Sequence, residues 1–512
     1  MKQFQVLTNY FLIAILLTLT FSCGKKSTSD TGPPNPPIVT PPVEEPDGSA
    51  NANLNNIAVN VDCSKQQGTL FRFEQANTTS VSSPIPGEKS KTWLKALNHK
   101  VVRVWIQLRF VKNKGYNYKY DSGAPIEDAL SFYSSISDSL LVCLSAYTGT
   151  TASPMPARGT EFQNFVRDVV IYYKTKFPKI KYIQVGNEPD YSEDGKPETM
   201  DEYYPVYKDY YKGIAAANKH FNLVSPKDRI LISNGPFTAI NDFTKEILPY
   251  TNEFFKKYAE DTDPDKRLDF FSFHCYTEND NPQLIATDKS QIESLMTANQ
   301  LPKVPIFVTE LGLHGGTFIP AQWTQADAIT AQPAGQIAKM YNLYNSGIAR
   351  VFNWAAYHGT IARKSELADL TNAYAYPYGN ALQLCSELSS RLTRVNATTT
   401  KALNSKGLGI NTMASMSSTK GIAVLVWNYN YTTNVADQSG NIMIKNIPKS
   451  IFPNKIRRKV YLIDSKHNNI FTNANQNILT TINDESFSYN ASVGVPLTLE
   501  KNSVALVVLT PE

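Results

Sequence analysis

Two glutamates stand where apolar runs stop. Lys181–Gly186 (KYIQVG) passes directly into Asn187-Glu188-Pro189-Asp190, and Val304–Val308 (VPIFV) passes into Thr309-Glu310-Leu311-Gly312. Two carboxyl groups that face one another can cleave a glycosidic bond. One, as an acid, protonates the departing oxygen; the other, as a carboxylate, attacks the sugar or activates water. Either Glu taken alone is also what the positive end of a helix dipole attracts just after a strand. Their occurrence at two corresponding positions, 122 residues apart, points to chemistry instead.

Both runs belong to an alternation of short β-branched stretches and longer amphipathic ones, from about residue 69 to 390. The candidate strands are Thr69–Glu74, Val101–Gln107, Leu140–Ala146, Lys181–Gly186, Arg229–Asn234, Leu268–His274, Val304–Thr309 and Ala349–Trp354. Helical periodicity lies between them, as in Phe162–Thr175, Met200–Ala217 and Gln336–Asn345. Near-continuous apolar strands are those covered on both faces. Eight of them with helices between predict an α/β fold, a (β/α)8 TIM barrel over residues 56–390, whose reactive groups sit at the C-terminal strand ends. An open doubly wound sheet is the other topology for this pattern, but no Gly-rich phosphate loop follows the first strand. Beyond Ser389 the strands GIAVLVWNYN, NIMIKNI, RKVYLID and SVALVVLT are separated by Asn, Gly, Ser and Thr turns. They predict a C-terminal β-sandwich over 391–512. The strand near Ile57–Val61 precedes the barrel and could pair into that sandwich.

Here the motifs resemble those of a known group. VGNEPD is similar to the strand-four acid/base motif of the clan A retaining glycoside hydrolases, and FVTELG to their strand-seven nucleophile motif. Phe273-His274-Cys275-Tyr276 resembles the clan's His-x-Tyr, which implies that Tyr276 hydrogen-bonds the nucleophile. Strand alternation puts His274 and Tyr276 on one side and turns Cys275 toward the helices. Trp354, ending VFNW, resembles the clan's sugar-platform Trp, and Arg103 in VVRVW the Arg that supports the nucleophile. Within the clan the chain most resembles glycoside hydrolase family 39, the β-xylosidase and α-L-iduronidase family, over about residues 56–512. The resemblance implies retaining hydrolysis, with Glu310 as nucleophile, Glu188 as acid/base and Asn187 donating to the hydroxyl beside the anomeric carbon. Such a mechanism needs Glu188 raised in pKa and Glu310 kept low. Exo-action on plant- or host-type oligosaccharides is the expectation. An endo-glycanase or transglycosidase of the same clan, or a non-catalytic carbohydrate-binding protein, are the alternatives.

Trp105, Tyr147, His314, Tyr357 and His358 fall near strand ends, where packing explains each as readily as sugar contact. The Tyr-rich, basic segment Lys112–Tyr120 could wall the pocket and favour an acidic sugar, or be an ordinary solvated loop.

The beginning of the chain reads as an address. Tyr10–Phe21 is a charge-free, mostly apolar run too short to span a bilayer, and residues 1–22 read as a signal peptide. Ser22-Cys23-Gly24 resembles a bacterial lipoprotein cleavage site, which predicts lipidation of Cys23 and attachment to the cell envelope, on the outer membrane's periplasmic face or the cell surface. Residues 23–55, with PPNPPIVTPPVEEPDG, are a Pro-rich linker.

Of 512 residues, 50 are basic and 45 acidic. A formal +5 with no basic stripe argues against a nucleic-acid partner. Four further cysteines, Cys63, Cys143, Cys275 and Cys385, allow three pairings; Cys143 and Cys275, in apolar strands, read as buried thiols. No CxxC occurs and no spacing links the cysteines to the six His, so neither metal nor cofactor is expected. Aromatics make up 11% of the chain, enough to fill two cores and still supply a sugar pocket.

Overall fold

A computed structural model describes residues 54–70, 73, 76–77, 88–119, 123–145, 158–191, 198–225, 227–239, 242–313, 325–356, 367–369, 374–431, 437–476 and 478–512. Cys23, the signal segment and nearly all of the linker lie outside them, as do Tyr147, His314, Tyr357 and His358.

The first large sheet is parallel and curled. Its strands follow the chain: Ala76–Asn77, His99–Gln107, Ser137–Ser145, Ile180–Val185, a split fifth position (Leu231–Ser233 and Phe237–Ala239), Phe271–Cys275, Ile306–Leu311 and Arg350–Asn353. The eighth pairs back to the first, through Asn353 opposite Ala76. The hydrogen-bonded order begins and ends on the two halves of the split fifth strand. There the ring is joined by backbone bonds, Asp269 N–H to Ile232 O (2.8 Å) and Glu188 N–H to Pro236 O (3.1 Å). Gly235 and Pro236 account for the split: Pro has no N–H for a ladder, and a Cβ at Gly235 would lie 2.4 Å from Val185 O. The chain crosses its neighbour there at a distance only glycine allows.

The expected first strand, Thr69–Glu74, is displaced. Thr69 ends a long strand, Val59–Thr69, that belongs to the other sheet and pairs with Thr393; among the described residues the ring pairing is at Ala76 and Asn77.

That second sheet is nine-stranded. Its order is Thr481–Ser488, Lys455–Ile463, Ser503–Pro511, Gly421–Tyr429, Gly409–Ser417, Thr393–Thr399, Val59–Thr69, Ile442–Lys445, Ser492–Val495. The strand preceding the ring does pair here, antiparallel to 393–399 and parallel to 442–445. A C-terminal β-sandwich over 391–512 was expected; the hydrogen bonds there make one sheet that curls on itself and includes Val59–Thr69. Arg458 Nη1–H, near one edge, reaches Gly494 O on the last strand at 2.7 Å.

Residues of GIAVLVWNY alternate between two cores. Ile422, Val424 and Val426 face the inside of the curl. Ala423, Leu425 and Trp427 join the core that includes Met340 and Leu384 on the helices Gln325–Asn345 and Pro377–Ser389. Burial on both faces is why this strand reads as an unbroken apolar run.

Candidate active site

Glu188 stands three residues beyond the end of the fourth strand and Glu310 inside the end of the seventh. A tyrosine sets the first position. The helix Met200–His220 starts at a capping box: Thr199 accepts from Glu202 N–H, and the Glu202 carboxylate accepts from Thr199 N–H. One turn in, Tyr203 donates to Val185 O (3.2 Å) and accepts from Gly235 N–H (2.6 Å), clamping the fourth and fifth strands together. Past this clamp Gly186 turns at φ +80° and Glu188 at φ +47°. A non-glycine residue in the left-handed region costs about 1–3 kcal/mol and persists where surrounding structure enforces it. The enforcement is visible: Pro236 O holds the Glu188 amide, and Thr238 N–H binds Asp190 Oδ2 at 2.7 Å.

Glu310 is gripped from two sides. Arg103, wholly buried, donates Nη1–H to Glu310 Oε1 (2.6 Å), Nε–H to Gln184 Oε1 (2.6 Å) and Nη2–H to Asn187 Oδ1 (2.9 Å). Tyr276 donates its hydroxyl to Glu310 Oε2 at 2.6 Å. Burial, and then the charge of Glu310, push the Tyr276 hydroxyl well above its ordinary pKa, so it remains a donor. Each carboxylate oxygen of Glu310 is thereby fixed in direction.

The environment of Glu188 differs. Its side chain is 17% exposed against 5% for Glu310, making it the more open of the two. Burial raises its carboxyl above the ordinary value. His274 Nδ1 lies 2.6 Å from Glu188 Oε1 and 3.5 Å from Glu310 Oε2. Burial pulls His274 down to about 3, so the ring is neutral. A neutral ring meets Glu188 through one proton: the carboxyl donates when protonated, and Nδ1–H donates when it is ionised. One donor atom each of Glu188, His274 and Glu310 lie within 4.8 Å of one another.

Trp354 and Tyr276 form a small buried cluster with Ala355 beside the pair. The sequence-predicted set of Arg103, Asn187, Glu188, His274, Tyr276 and Glu310 therefore converges, and Trp354 lies against it. Trp105 sits under Arg103, its ring 4.6 Å from the guanidinium carbon. The described part of this segment, 112–119, goes elsewhere: Tyr116 stacks on Tyr172 of the helix Thr160–Lys176 at 4.1 Å, and the Tyr118 hydroxyl accepts from Gln107 N–H. No described contact of it touches the carboxylates.

Sequence reasoning passed over Gln184. It receives Arg103 and donates to Thr309 Oγ1 (2.8 Å), linking the second, fourth and seventh strands. The signal was present, a lone amide in the apolar run KYIQVG. Asp190 was also missed.

Residues 147–374 match the family model of the glycosyl hydrolase catalytic core. The match spans 228 of the 512 residues and takes in both glutamates. Glu188, His274, Tyr276, Glu310 and Trp354 all lie within the matched span, whereas Arg103 is contributed by a strand that precedes it. No curated protein sequence matches the chain. Among solved structures it is similar to a glucosidase from Croceicoccus marinus (14% identity, 90% of this chain and 100% of that one, TM-score 0.65). It is also similar to a monomeric β-xylosidase from Caulobacter crescentus CB15 (11%, 89% and 99%, 0.63). A third is a family 39 enzyme from Xanthomonas axonopodis pv. citri (12%, 91% and 99%, 0.60). Identities this low speak to the fold, so the catalytic core and the converging carboxyl groups carry the assignment of the chain as a glycosidase.

Proposed function

We propose that the chain is a retaining glycoside hydrolase of the family 39 type, exo-acting on plant- or host-type oligosaccharides. The observation that carries this reading is the close approach of the two carboxyl groups, with oxygens within 4.8 Å. Retaining enzymes hold the pair about 5–5.5 Å apart and inverting ones about 6.5–9.5 Å, to leave room for a water. Glu310, oriented by Arg103 and Tyr276, attacks the anomeric carbon. Glu188, whose carboxyl is raised by burial, donates its proton to the departing oxygen. In the second step Glu188 takes a proton from water, which displaces Glu310 and releases the sugar with its original configuration. Asn187, fixed through its carboxamide oxygen by Arg103, keeps its NH2 for the neighbouring sugar hydroxyl. Trp354 offers an apolar ring for the sugar face.

A panel of nitrophenyl β-xyloside, β-glucoside, β-galactoside, α-arabinoside and uronide, run with wild type and Glu310→Ala, identifies the sugar. Proton NMR of the first-formed anomer then tests the stereochemistry. A product of opposite configuration refutes Glu310 as nucleophile.

The anchor at Cys23 in the cell envelope belongs to the same proposal. Among the described residues no helix is long and apolar enough to cross a membrane. Labelled fatty acid should enter the wild type and not Cys23→Ser; equal labelling of both refutes it.

A further inference from the structure

A second polar cluster lies behind the sixth strand, on the side away from the glutamates. Cys275 ends that strand, and the alternation that aims His274 and Tyr276 at the carboxylates turns its Sγ the other way. Glu278 follows three residues later at φ +56°, its carboxylate receiving the Thr277 hydroxyl. Asp288 opens the helix Asp288–Ala298 and is 2% exposed. One donor atom each of Cys275, Glu278 and Asp288 lie within 4.8 Å of one another, with Cys275 Sγ 3.8 Å from Glu278 Oε2. Asp288 Oδ2 is enclosed and has no hydrogen-bond partner. An acceptor left so costs about 1–3 kcal/mol, and more when charged.

We propose that Cys275, Glu278 and Asp288 form a binding site for a divalent transition ion of the zinc class. Three considerations support it. The first is geometric: ligands about 2.3 Å (S) and 2.1 Å (O) from one centre stand 3.8 Å apart at an angle of roughly 120°, near tetrahedral. The second is charge. Lys339, buried on the helix Gln325–Asn345, spends its ammonium protons on Thr277 O (2.8 Å), Gly312 O (2.9 Å) and Asn279 Oδ1 (3.2 Å). Once the three groups ionise on binding, the ammonium and a divalent ion together balance a thiolate and two carboxylates. The third is ligand type. A thiolate selects against calcium and magnesium, which take oxygen ligands alone, and suits zinc or cobalt.

Burial pushes Cys275 up to about 12, lifts Asp288 well above its ordinary value and raises Glu278. The ion would therefore displace protons from these groups as it binds, the usual coupling of metal affinity to ligand ionisation. The bound ion would tie the strand end that carries Tyr276 to the helix at Asp288. The three residues are spaced Cys-x2-Glu-x9-Asp, with neither a His nor a CxxC among them.

The test uses the full chain stripped with chelator. Glu310→Gln serves as background, because Glu188, His274 and Glu310 also lie close enough to hold a cation. Added cobalt(II) should give a thiolate-to-cobalt charge-transfer band, and equilibrium dialysis should find one zinc per chain. The band should vanish in Cys275→Ser, and zinc affinity should fall at least tenfold in Asp288→Asn, an isosteric change. Absence of the band in the Glu310→Gln protein overturns the proposal, whatever the fold of the other variants. So does a band that survives Cys275→Ser, or zinc bound equally with and without Asp288; the cluster is then a proton-sharing one neutralised by Lys339.

Discussion

Replacing Tyr276 by Phe removes one oxygen from the site and little else. The ring remains in its buried cluster with Trp354 and Ala355, while the 2.6 Å donation to Glu310 Oε2 disappears. A hydrogen bond to a charged partner is worth about 1.5–3 kcal/mol, which is roughly 10- to 150-fold in rate if the whole of it is felt at the barrier. In the proposed second step Glu310 leaves the sugar and charge returns to its oxygens, so donation to Oε2 counts most there. Arg103 still holds Oε1. The expected result is a kcat lower by one to two orders of magnitude, with KM falling alongside as the glycosyl-enzyme accumulates, and a pre-steady-state burst on an activated aryl glycoside. Thermal unfolding should shift by only a few degrees. A Tyr276→Phe enzyme within threefold of wild type in kcat, and without a burst, would show that the hydroxyl merely packs.

Glu188→Gln should lose nearly all turnover of substrates with poor leaving groups and keep much of it on dinitrophenyl glycosides, which need no acid; equal losses on both would remove Glu188 from that role. Because burial raises Glu188, its acid form persists above the usual carboxyl pKa of about 4.3. The wild-type rate should fall as pH rises through the raised value, and this alkaline limb should be missing in Glu188→Gln on the activated substrate. Asp190 has a raised pKa, chiefly from burial, and an enclosed Oδ1 with no partner. A raised folded pKa gives stability that is complete at low pH and lost as pH rises through it. Asp190→Asn should therefore match wild type in unfolding temperature near pH 4 and exceed it at pH 8; a gap that does not grow with pH counts against this. Gly235→Ala would put a Cβ 2.4 Å from Val185 O and 3.1 Å from the Tyr203 hydroxyl. Overpacking of about 1–3 kcal/mol, with kcat reduced through a displaced Glu188, should appear in unfolding and kinetics together, whereas a stability loss at unchanged kcat would separate the clamp from the site.

What the sequence made legible was what burial on two faces imposes. Strands such as LLVCLS and IFVTEL announce themselves because neither face meets water, and the glutamates announce themselves by ending them. The first ring strand was misplaced because the polar stretch ending at Thr69 continues a strand set by its partner 324 residues away, and the described ring pairing lies at Ala76–Asn77. The break at Gly235-Pro236 falls just past the expected strand Arg229–Asn234, and the return of the chain to the ring at Phe237–Ala239 carried no separate strand pattern. The pairing of His274 with Glu188 was not written anywhere. It depends on how far two strands 86 residues apart are shifted along the ring, and neither residue type nor spacing encodes that. One curled sheet in place of a sandwich has the same origin, since inward alternation looks alike whether the facing residues belong to one sheet or two.

The two glutamates are chemically identical, and the fold makes them different by choosing what is buried beside each. An isolated guanidinium with no solvent exposure is too costly to keep unless an anion pairs with it. Arg103 is such a guanidinium, and the carboxylate bonded to it is Glu310. The pairing demanded by folding is therefore the one that would orient the nucleophile in the proposed mechanism. Glu188 receives a neutral imidazole in place of a cation, with burial that favours its protonated form and enough opening for a leaving group to reach it. Exchanging the two environments would exchange the two roles. The asymmetry originates in strand alternation: Arg103 from the second strand and Tyr276 beyond the sixth converge on the seventh, while His274, two residues before Tyr276, reaches across to the fourth.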